Sequence, residues 1–303
     1  MRPTLAISVS NLTKDYGGIR AVDHASFEVP VGTICGFVGP NGSGKTTTIR
    51  MLLGLIAPSD GIGTVLGESI STPQRYLQNV GAMIEGPAFY PALTGEENLR
   101  VLATLGGFPH SRIAQLLDLV GLGDRGSSKY KTYSLGMKQR LGIAASLLPE
   151  PKLLILDEPT NGLDPAGIQE VRDLLEKLAK SGVTIFVSSH LLSEIEMISE
   201  YLVMLQKGKV IFFGKTEELL DRTKPTITAI PKNIEDLSQL FEIAKSAGHP
   251  AQIKDGEVHI DAQEDWGSEL NRLAFEQGII LKQITPVRPT LEETFFAMTE
   301  ESA

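Results

Sequence analysis

Residues 39–46 read Gly39-Pro40-Asn41-Gly42-Ser43-Gly44-Lys45-Thr46 and carry the strongest local indication of the fold. It matches the pattern G-x-x-x-x-G-K-[ST] of a phosphate-binding loop in full. Glycines let such a loop curl until several backbone N–H groups point at one phosphate. We expect Lys45 to reach the β- and γ-phosphates of a bound nucleotide, and the Thr46 hydroxyl to bind Mg²⁺.

The sequence on either side of the loop has the order that such a loop requires. The apolar run Thr33–Val38, which includes the single cysteine Cys35, is typical of a strand covered on both faces. A helix is predicted over Lys45–Leu53, and its first residues, Thr47 among them, add a positive helix end to the nucleotide site. Strand, loop and helix in this order predict an α/β fold of the P-loop NTPase type.

Two acidic residues at the end of a second apolar strand extend the predicted site. Leu153–Leu156 reads as a buried strand and is followed at once by Asp157 and Glu158. A carboxylate at that position can hold the Mg²⁺ shell, and the next one can polarise the attacking water. We therefore assign Asp157 to the metal and Glu158 to the water.

The first 225 residues alternate strands and helices. A helix over Ala166–Lys180 lies between the strand that ends at Asp157 and a strand over Val183–Val187, which predicts a mainly parallel sheet with crossover helices. Residues 87–150 are predicted to form a helical subdomain, whose first helix follows a capping box at Thr94–Glu97. Its helices are expected near Leu99–Leu105, Ile113–Val120 and Met137–Leu148.

After Pro225 the pattern changes to that of a smaller domain, so we divide the chain into residues 1–225 and 226–303. The predicted order β-α-β-β-α-β is that of a ferredoxin-like α+β domain. These elements are Thr226–Ile230, Ile234–Ser246, Gln252–Ile253, Val258–Ile260, Trp266–Gln277 and Ile279–Ile284, with a last helix over Leu291–Met298. We expect an accessory or regulatory role for this C-terminal domain.

Composition excludes several classes of protein. Hydrophobic residues make up 42% of the chain and charged residues 21%, which is ordinary for a globular protein. From Thr226 onward there are 14 Asp and Glu against 6 Lys and Arg, and the whole chain carries a net charge of −9, which argues against nucleic acid as a partner. No segment reaches the roughly 18 apolar residues of a bilayer span, and a signal-peptide pattern is lacking. We therefore expect a cytoplasmic protein that reaches a membrane through a partner.

Residues 5–220 resemble the ABC ATPase family, because further motifs follow the phosphate loop in that family's order. The stretch Tyr133–Met137 stands where the LSGGQ signature belongs. Ser134 and Gly136 match the signature, whereas Leu135 and Met137 differ from it. The resemblance implies that Ser134 and Gly136, at the start of a helix, bind the γ-phosphate of an ATP held by the opposite subunit.

The same resemblance gives roles to three more residues. Tyr16 stands where the family places an aromatic ring that stacks on adenine. Asp164 lies in the stretch Asn161–Asp164, which is similar to the loop that joins the two ATP sites across the dimer. His190 follows the strand Val183–Val187 and corresponds to the histidine that contacts the γ-phosphate and positions water.

One departure from the family lies at Glu85, where a glutamine is usual. A glutamate can still bind Mg²⁺ through oxygen, so Glu85 is a further predicted metal ligand; the alternative is a solvated loop residue. By resemblance, the loop Glu85–Pro91 meets the membrane subunit. Phe89 and Tyr90 in this loop either dock a partner helix or belong to the core of the helical subdomain.

The resemblance implies an enzyme that hydrolyses ATP to ADP and phosphate, with ATP and Mg²⁺ as its ligands. Two copies, or one copy and a paralogous subunit, are expected to close around two ATP molecules and drive a separate integral membrane permease. The protein would then lie on the inner face of the cell membrane. The stretch Ile84–Asn98 resembles the ATPase subunits of antibiotic and lantibiotic exporters, which favours export of drugs, antibiotics or peptides.

Two other functions are compatible with a phosphate loop. Related ATPases act on DNA or on the ribosome, but the former carry long coiled-coil arms and the latter usually two tandem ATPase units, and neither pattern occurs in this sequence. A nucleotide or small-molecule kinase would not need Ser134, Asp164 and His190 together.

Overall fold

The computed structural model describes residues 4–86, 88–221, 225–288 and 290–300, and the apolar run before the phosphate loop is a buried strand within it. The strands of the first part of the chain are β1 (Leu5–Tyr16), β2 (Ile19–Pro30), β3 (Ile34–Val38), β4 (Asp60–Val65), β5 (Glu68–Ser69), β6 (Val80–Met83), β7 (Leu153–Asp157), β8 (Thr184–Ser189), β9 (Tyr201–Gln206) and β10 (Lys209–Lys215). The helices are α1 (Lys45–Leu52), α2 (Gly95–Gly106), α3 (Ile113–Leu119), α4 (Leu135–Ser146), α5 (Pro165–Lys180), α6 (Leu192–Ile198) and α7 (Thr216–Leu220).

The strands form two sheets. One is a six-stranded sheet in the order β10-β9-β3-β8-β7-β6, parallel except for the β9–β10 pair. In this sheet Val38 lies opposite Ser189, and Asp157 lies opposite Ser188. Because parallel strands end at the same edge of a sheet, this register brings the phosphate loop and the acidic end of β7 together.

The second sheet is antiparallel, in the order β2-β1-β4-β5, and shares a core with the first. Phe27 of β2, Phe37 of β3 and Phe186 of β8 are fully buried, with ring centroids 4.8 to 6.0 Å apart. Burying a side chain of this size stabilises a fold by about 1.5–3 kcal/mol. This aromatic cluster therefore holds the two sheets together beneath the phosphate loop.

The predicted helical stretch contains α2, α3 and α4. Thr94 caps α2, since its hydroxyl accepts from the Glu97 N–H at 3.1 Å and its own N–H donates to the Glu97 carboxylate at 2.7 Å. The predicted capping box is therefore confirmed. Helix α4 begins at Leu135, two residues earlier than predicted, because the Ser134 hydroxyl accepts from the Met137 N–H at 3.2 Å and caps it.

The chain forms two compact units, Met1–Thr216 and Glu217–Ala303. The division between these units comes before the predicted boundary after Pro225. The predicted boundary is next to residues 222–224, which lie outside the described ranges. The domain assignment stays a prediction.

The second unit has the predicted ferredoxin-like order. Its elements are β11 (Thr226–Pro231), α8 (Leu237–Ser246), β12 (Ala251–Lys254), β13 (Glu257–Asp261), α9 (Trp266–Glu276), β14 (Leu281–Val287) and α10 (Leu291–Glu300). The sheet runs β12-β13-β11-β14, with each neighbouring pair antiparallel. Leu240 of α8 and Leu270 of α9 are fully buried in one core with Ile227 and Ile260 of the sheet.

Two elements in this unit begin two or more residues later than predicted. Ile234–Asp236 forms a separate 3₁₀ turn, and α8 itself begins only at Leu237. Strand β14 begins at Leu281 instead of Ile279, because the Ile279 N–H donates to Ala274 O at 2.9 Å and closes the end of α9.

Candidate nucleotide-binding site

A polar cleft of about 460 Å³ opens at the carboxyl ends of β3, β7 and β8. It is lined by Ala21, Asn41, Gly42, Ser43, Gly44, Lys45, Thr46, Thr47, Glu158, Asn161 and His190. The structure thus brings most of the predicted phosphate loop together with Glu158 and His190, which lie more than a hundred residues away in the sequence.

The phosphate loop requires glycine at Gly44. This residue has φ = 107° and stands at the N-cap of α1, and a Cβ there would lie 2.5 Å from Ala21 O. The preceding Ser43 is buried, and its hydroxyl has no hydrogen-bond partner among the described residues. A buried polar atom without a partner is costly, so this loop is built to receive polar atoms from a ligand.

Lys45 is buried and points back over the loop. Its Nζ donates to Gly39 O at 2.7 Å, to Pro40 O at 3.5 Å, and lies 3.2 Å from Glu158 Oε1. A cation with only 6% of its residue surface exposed needs such oxygen partners. The phosphate oxygens of a nucleotide are partners of the same kind, and they would stabilise the ammonium group in the same place.

Thr46 and Asp157 offer oxygen atoms for a divalent cation. The Thr46 hydroxyl donates to Asp157 Oδ2 at 2.8 Å, and the Ser188 hydroxyl donates to Asp157 Oδ1 at 2.5 Å. Mg²⁺ prefers oxygen ligands and keeps several waters and phosphate oxygens, so two protein oxygens at this place fit it. Consistent with such a sparse site, the described residues contain no group of three or more His, Cys, Asp or Glu side chains that could hold a metal.

Glu158 follows β7 in a strained backbone conformation. Its φ of 51° is unusual for a residue with a side chain and costs of order 1–3 kcal/mol. The Glu158 N–H donates both to Ser188 O at 3.2 Å and to Ser188 Oγ at 3.0 Å. Its carboxylate lies between two basic groups, Lys45 Nζ at 3.2 Å and His190 Nδ1 at 2.7 Å. The surrounding contacts therefore hold this carboxylate at the mouth of the cleft.

Comparison with known proteins identifies the family. The profile of the family described as ABC transporter matches residues 22–161. The chain is 40% identical over 296 residues to the bacitracin transport ATP-binding protein BcrA of Bacillus licheniformis, covering 95% of each chain. It is 42% identical over 205 residues to the lantibiotic transport ATP-binding protein SrtF of Streptococcus pyogenes, covering 68% of this chain and 89% of that one. A solved structure of an ATP-binding subunit of an ABC transporter matches with a TM-score of 0.64 at 31% identity, over 72% of this chain and 92% of that one.

The chain belongs to the ABC transporter family. It is an ATP-binding subunit, and the resemblance and the fold class stated above are confirmed. None of the helices in the described ranges combines the length and the hydropathy that a bilayer span requires.

The predicted signature region lies at the N-terminus of α4. Ser134 caps the helix, and neither Ser134 nor Gly136 is among the residues that line the cleft of the same chain. A Cβ at Gly162 would lie 3.0 Å from the exposed Leu135 side chain, so the signature packs beside the loop that leads to Asp164. The Asp164 carboxylate caps α5 by accepting from the Gly167 N–H at 2.9 Å.

Tyr16 and Glu85 lie outside the residues that line the cleft. Tyr16 is 46% exposed at the end of β1, with Lys14 Nζ 5.1 Å from its ring centroid. The Glu85 carboxylate pairs with the guanidinium of Arg50, in the last turn of α1. The adenine role of Tyr16 and the metal role of Glu85 stay predictions, and the structure offers Glu85 a different partner.

Three contacts in this region involve side chains that were not among the predicted site residues. They are the Ser188 hydroxyl on Asp157, the Arg50 side chain on Glu85, and the Thr160 hydroxyl on the Glu194 carboxylate at 2.7 Å. The stretch Ser188-Ser189-His190 could have indicated the first, since a hydroxyl beside the predicted histidine ends a strand next to β7. No local pattern indicates the other two.

Proposed function

We propose that this ABC subunit hydrolyses ATP and thereby drives a membrane permease that exports an antibiotic or a similar compound. The observation that carries the proposal is the placement of the Glu158 carboxylate, held by Lys45 and His190 beside the phosphate loop. A carboxylate in that position is suited to orient a water molecule toward the terminal phosphate of a nucleotide in the loop.

The chain's own residues would divide the work as follows. The loop N–H groups and Lys45 bind the phosphates, and Glu158 accepts a hydrogen bond from the attacking water. His190 holds the Glu158 carboxylate through the contact at 2.7 Å and faces the same cleft. Thr46 and Asp157 would hold Mg²⁺, which neutralises charge on the phosphates when it is bound.

The place of the predicted signature residues supports a dimer. Because Ser134 and Gly136 lie away from the cleft of their own chain, they would contribute to the ATP site of a second copy or of a paralogous subunit. The caps of α4 and α5 hold Ser134 and Asp164 at helix starts, where free N–H groups favour phosphate. The predicted sharing of sites between subunits is part of this proposal.

The permease would dock on the helical stretch. Phe89 is half-buried and packs edge-on against Tyr130, with ring centroids 5.2 Å apart, whereas Tyr90 is 60% exposed. Of the two alternatives stated above, we propose that Phe89 belongs to the core of the helical subdomain and that Tyr90 docks a helix of the permease. Through the permease the protein would lie on the cytoplasmic face of the membrane, and the names of both relatives support transport over action on DNA or ribosomes.

The first test is ATP hydrolysis by the purified chain and by Glu158→Gln. The glutamine keeps the size of the side chain but cannot accept a proton, so we expect turnover to fall by about 10²–10⁴-fold with ATP affinity nearly unchanged. Glu200→Gln, at an exposed carboxylate away from the cleft, is the matched control. A Glu158→Gln variant that turns over at the normal rate contradicts the assignment of Glu158.

The second test is affinity capture from detergent-solubilised native membranes with the Glu158→Gln variant, ATP and Mg²⁺. We expect a polytopic membrane polypeptide in near-equal amount. Recovery of ribosomal or chromosomal proteins without such a polypeptide would contradict the transport function. In the first test, ADP formation that requires an acceptor molecule other than water would indicate a kinase.

A further inference from the structure

We propose that Glu194, on α6, is a positioning residue for ATP hydrolysis, because its carboxylate fixes the loop that carries Glu158. The proposal rests on the hydrolytic function proposed above. Its central contact is the hydrogen bond that the Thr160 hydroxyl donates to Glu194 Oε2 at 2.7 Å.

The loop after β7 makes few other contacts that could hold it. Glu158 N–H is bound by Ser188, and two backbone hydrogen bonds, Asn161 N to Glu158 O and Leu163 N to Thr160 O, keep the turn closed. Both backbone bonds lie within the loop itself. Besides Glu158 itself, Thr160, with 7% of its surface exposed, ties this turn to another element through its side chain.

Helix α6 is a firm support for that contact. Ile195, the residue after Glu194, is 2% exposed and lies directly on β3, where a Cβ at Gly36 would be 2.1 Å from Ile195 Cγ2. The glycine thus lets α6 lie close to the backbone of the central sheet. The Glu194 side chain, on a helix held in this way, therefore offers a fixed oxygen acceptor to the Thr160 hydroxyl.

His190 makes the second contact between the same segments. It precedes α6 and holds Glu158 Oε2 at 2.7 Å, while Glu194 within the helix holds Thr160, two residues after Glu158. The two contacts attach both ends of the Glu158–Thr160 turn to the same segment, which consists of His190 and helix α6. We infer that losing either one lets the catalytic carboxylate move, and that losing the Glu194 contact also loosens the path from Thr160 to Asp164.

The experiment compares ATP turnover and ATP affinity in Glu194→Ala, Glu194→Gln, Thr160→Val, Thr160→Ser and the double variant Glu194→Ala/Thr160→Val. Displacement of a catalytic group by a fraction of an ångström lowers turnover steeply, so we expect kcat to fall about tenfold in Glu194→Ala and Thr160→Val. The dissociation constant for ATP should change by less than about twofold, because neither residue lines the cleft.

The conservative variants separate positioning from general destabilisation. Glu194→Gln and Thr160→Ser keep an acceptor and a donor, and we expect both to retain turnover within about twofold of the unchanged chain. The double variant should be no slower than either single one, since both remove the same hydrogen bond. Glu200→Ala, at an exposed carboxylate just beyond α6, is the matched control.

Three kinetic outcomes would overturn the proposal. They are an unchanged kcat in Glu194→Ala, equal losses of kcat in Glu194→Gln and Glu194→Ala, and a loss of kcat in the double variant equal to the product of the losses in the two single variants. Amide hydrogen exchange over residues 158–164 tests the contact without relying on turnover. We expect the amides of residues 158–164 to exchange about tenfold faster in Glu194→Ala, and an unchanged exchange rate would contradict the proposal. A chain that hydrolyses no ATP but shows this faster exchange would contradict the proposed function and leave the Glu194 contact supported.

Discussion

The two compact units of the chain use polar side chains in opposite ways. In the first unit, buried groups from distant parts of the sequence meet: the Asp157 carboxylate accepts from Thr46 and from Ser188 on another strand. In the second unit, Arg272 of α9 pairs with Glu269 and Glu276 of the same helix, and all three side chains are about half exposed.

The difference separates a functional arrangement from a solvated surface. Burying polar groups costs free energy unless each is paired, so a fold keeps such a network where it serves binding or chemistry. Pairs three or four residues apart on an exposed helix form readily and contribute little. Four substitutions, two at buried contacts and two at exposed ones, test this difference.

Lys45→Met should have the largest effect. The methionine keeps the aliphatic volume but removes the buried ammonium group that faces Gly39 O and Glu158, so we expect ATP affinity to fall about 100-fold or more. Titration with a fluorescent ATP analogue measures it. Lys177→Met, at an exposed lysine of α5, is the control. Equal ATP affinities in the two variants would contradict a binding role for the buried Lys45.

Ser188→Ala should destabilise the fold by about 1–3 kcal/mol, because it leaves buried Asp157 Oδ1 without its donor. Urea unfolding measures the change. The matched control is Ser146→Ala, a buried serine whose hydroxyl donates locally to Ile143 O at 2.7 Å, and its expected loss is smaller. A larger loss of stability in Ser146→Ala would show that the hydrogen bond between strands contributes no more than a local one.

Thr94→Ala should cost about 1 kcal/mol, since it removes the side-chain half of the capping box on α2. The backbone N–H of Thr94, and then its hydroxyl, lower the pKa of Glu97. A lowered folded-state pKa means that this contribution is complete above the ordinary pKa of the carboxyl group and is lost as pH falls through the lowered one. Alanine keeps the backbone N–H, so the variant loses only the part of this contribution that comes from the hydroxyl. The difference in stability from the unchanged chain should therefore be largest at neutral pH and narrow in acid without closing, because the hydrogen bond from the Glu97 N–H to the Thr94 hydroxyl does not titrate. Urea midpoints across pH measure it.

Arg272→Ala should have the smallest effect. The guanidinium lowers the pKa of Glu269 through a hydrogen bond, but the pair is exposed and screened by water and salt. We expect the unfolding midpoint of the chain to stay within the scatter of the measurement. A shift as large as that of Thr94→Ala would show that surface pairs support the second unit more than their exposure indicates.

Much of the fold and part of the site could be predicted because the signals are local. The phosphate loop, the strand ending in Asp157 and Glu158, and the capping box at Thr94–Glu97 each occupy a few consecutive residues. The order of elements in the second unit was also predictable, since each has its own hydrophobic period. The roles of the site residues remain predictions for the experiments above.

The remaining contacts and strands could not be predicted, because they depend on the packing and register of elements that are far apart in the sequence. Ser188 reaches Asp157 because β7 and β8 are neighbours in that register, and Glu194 reaches Thr160 because α6 packs on β3. The strands β4, β5, β9 and β10 were likewise not predicted, because their pattern is completed by partners elsewhere in the sheets. Pairing of this kind is a property of the folded chain, and a short window of sequence does not determine it.

The close approach of α6 to Gly36 has a consequence for sequence variation. A methyl group at position 36 would overlap the branched side chain of Ile195, so the two positions share one fixed volume. Among relatives of this chain, we expect a residue larger than glycine at position 36 to occur together with a residue smaller than isoleucine at position 195. An alignment in which the two positions vary independently would show that α6 can shift on the sheet, and that the support for His190 and Glu194 differs from one relative to the next.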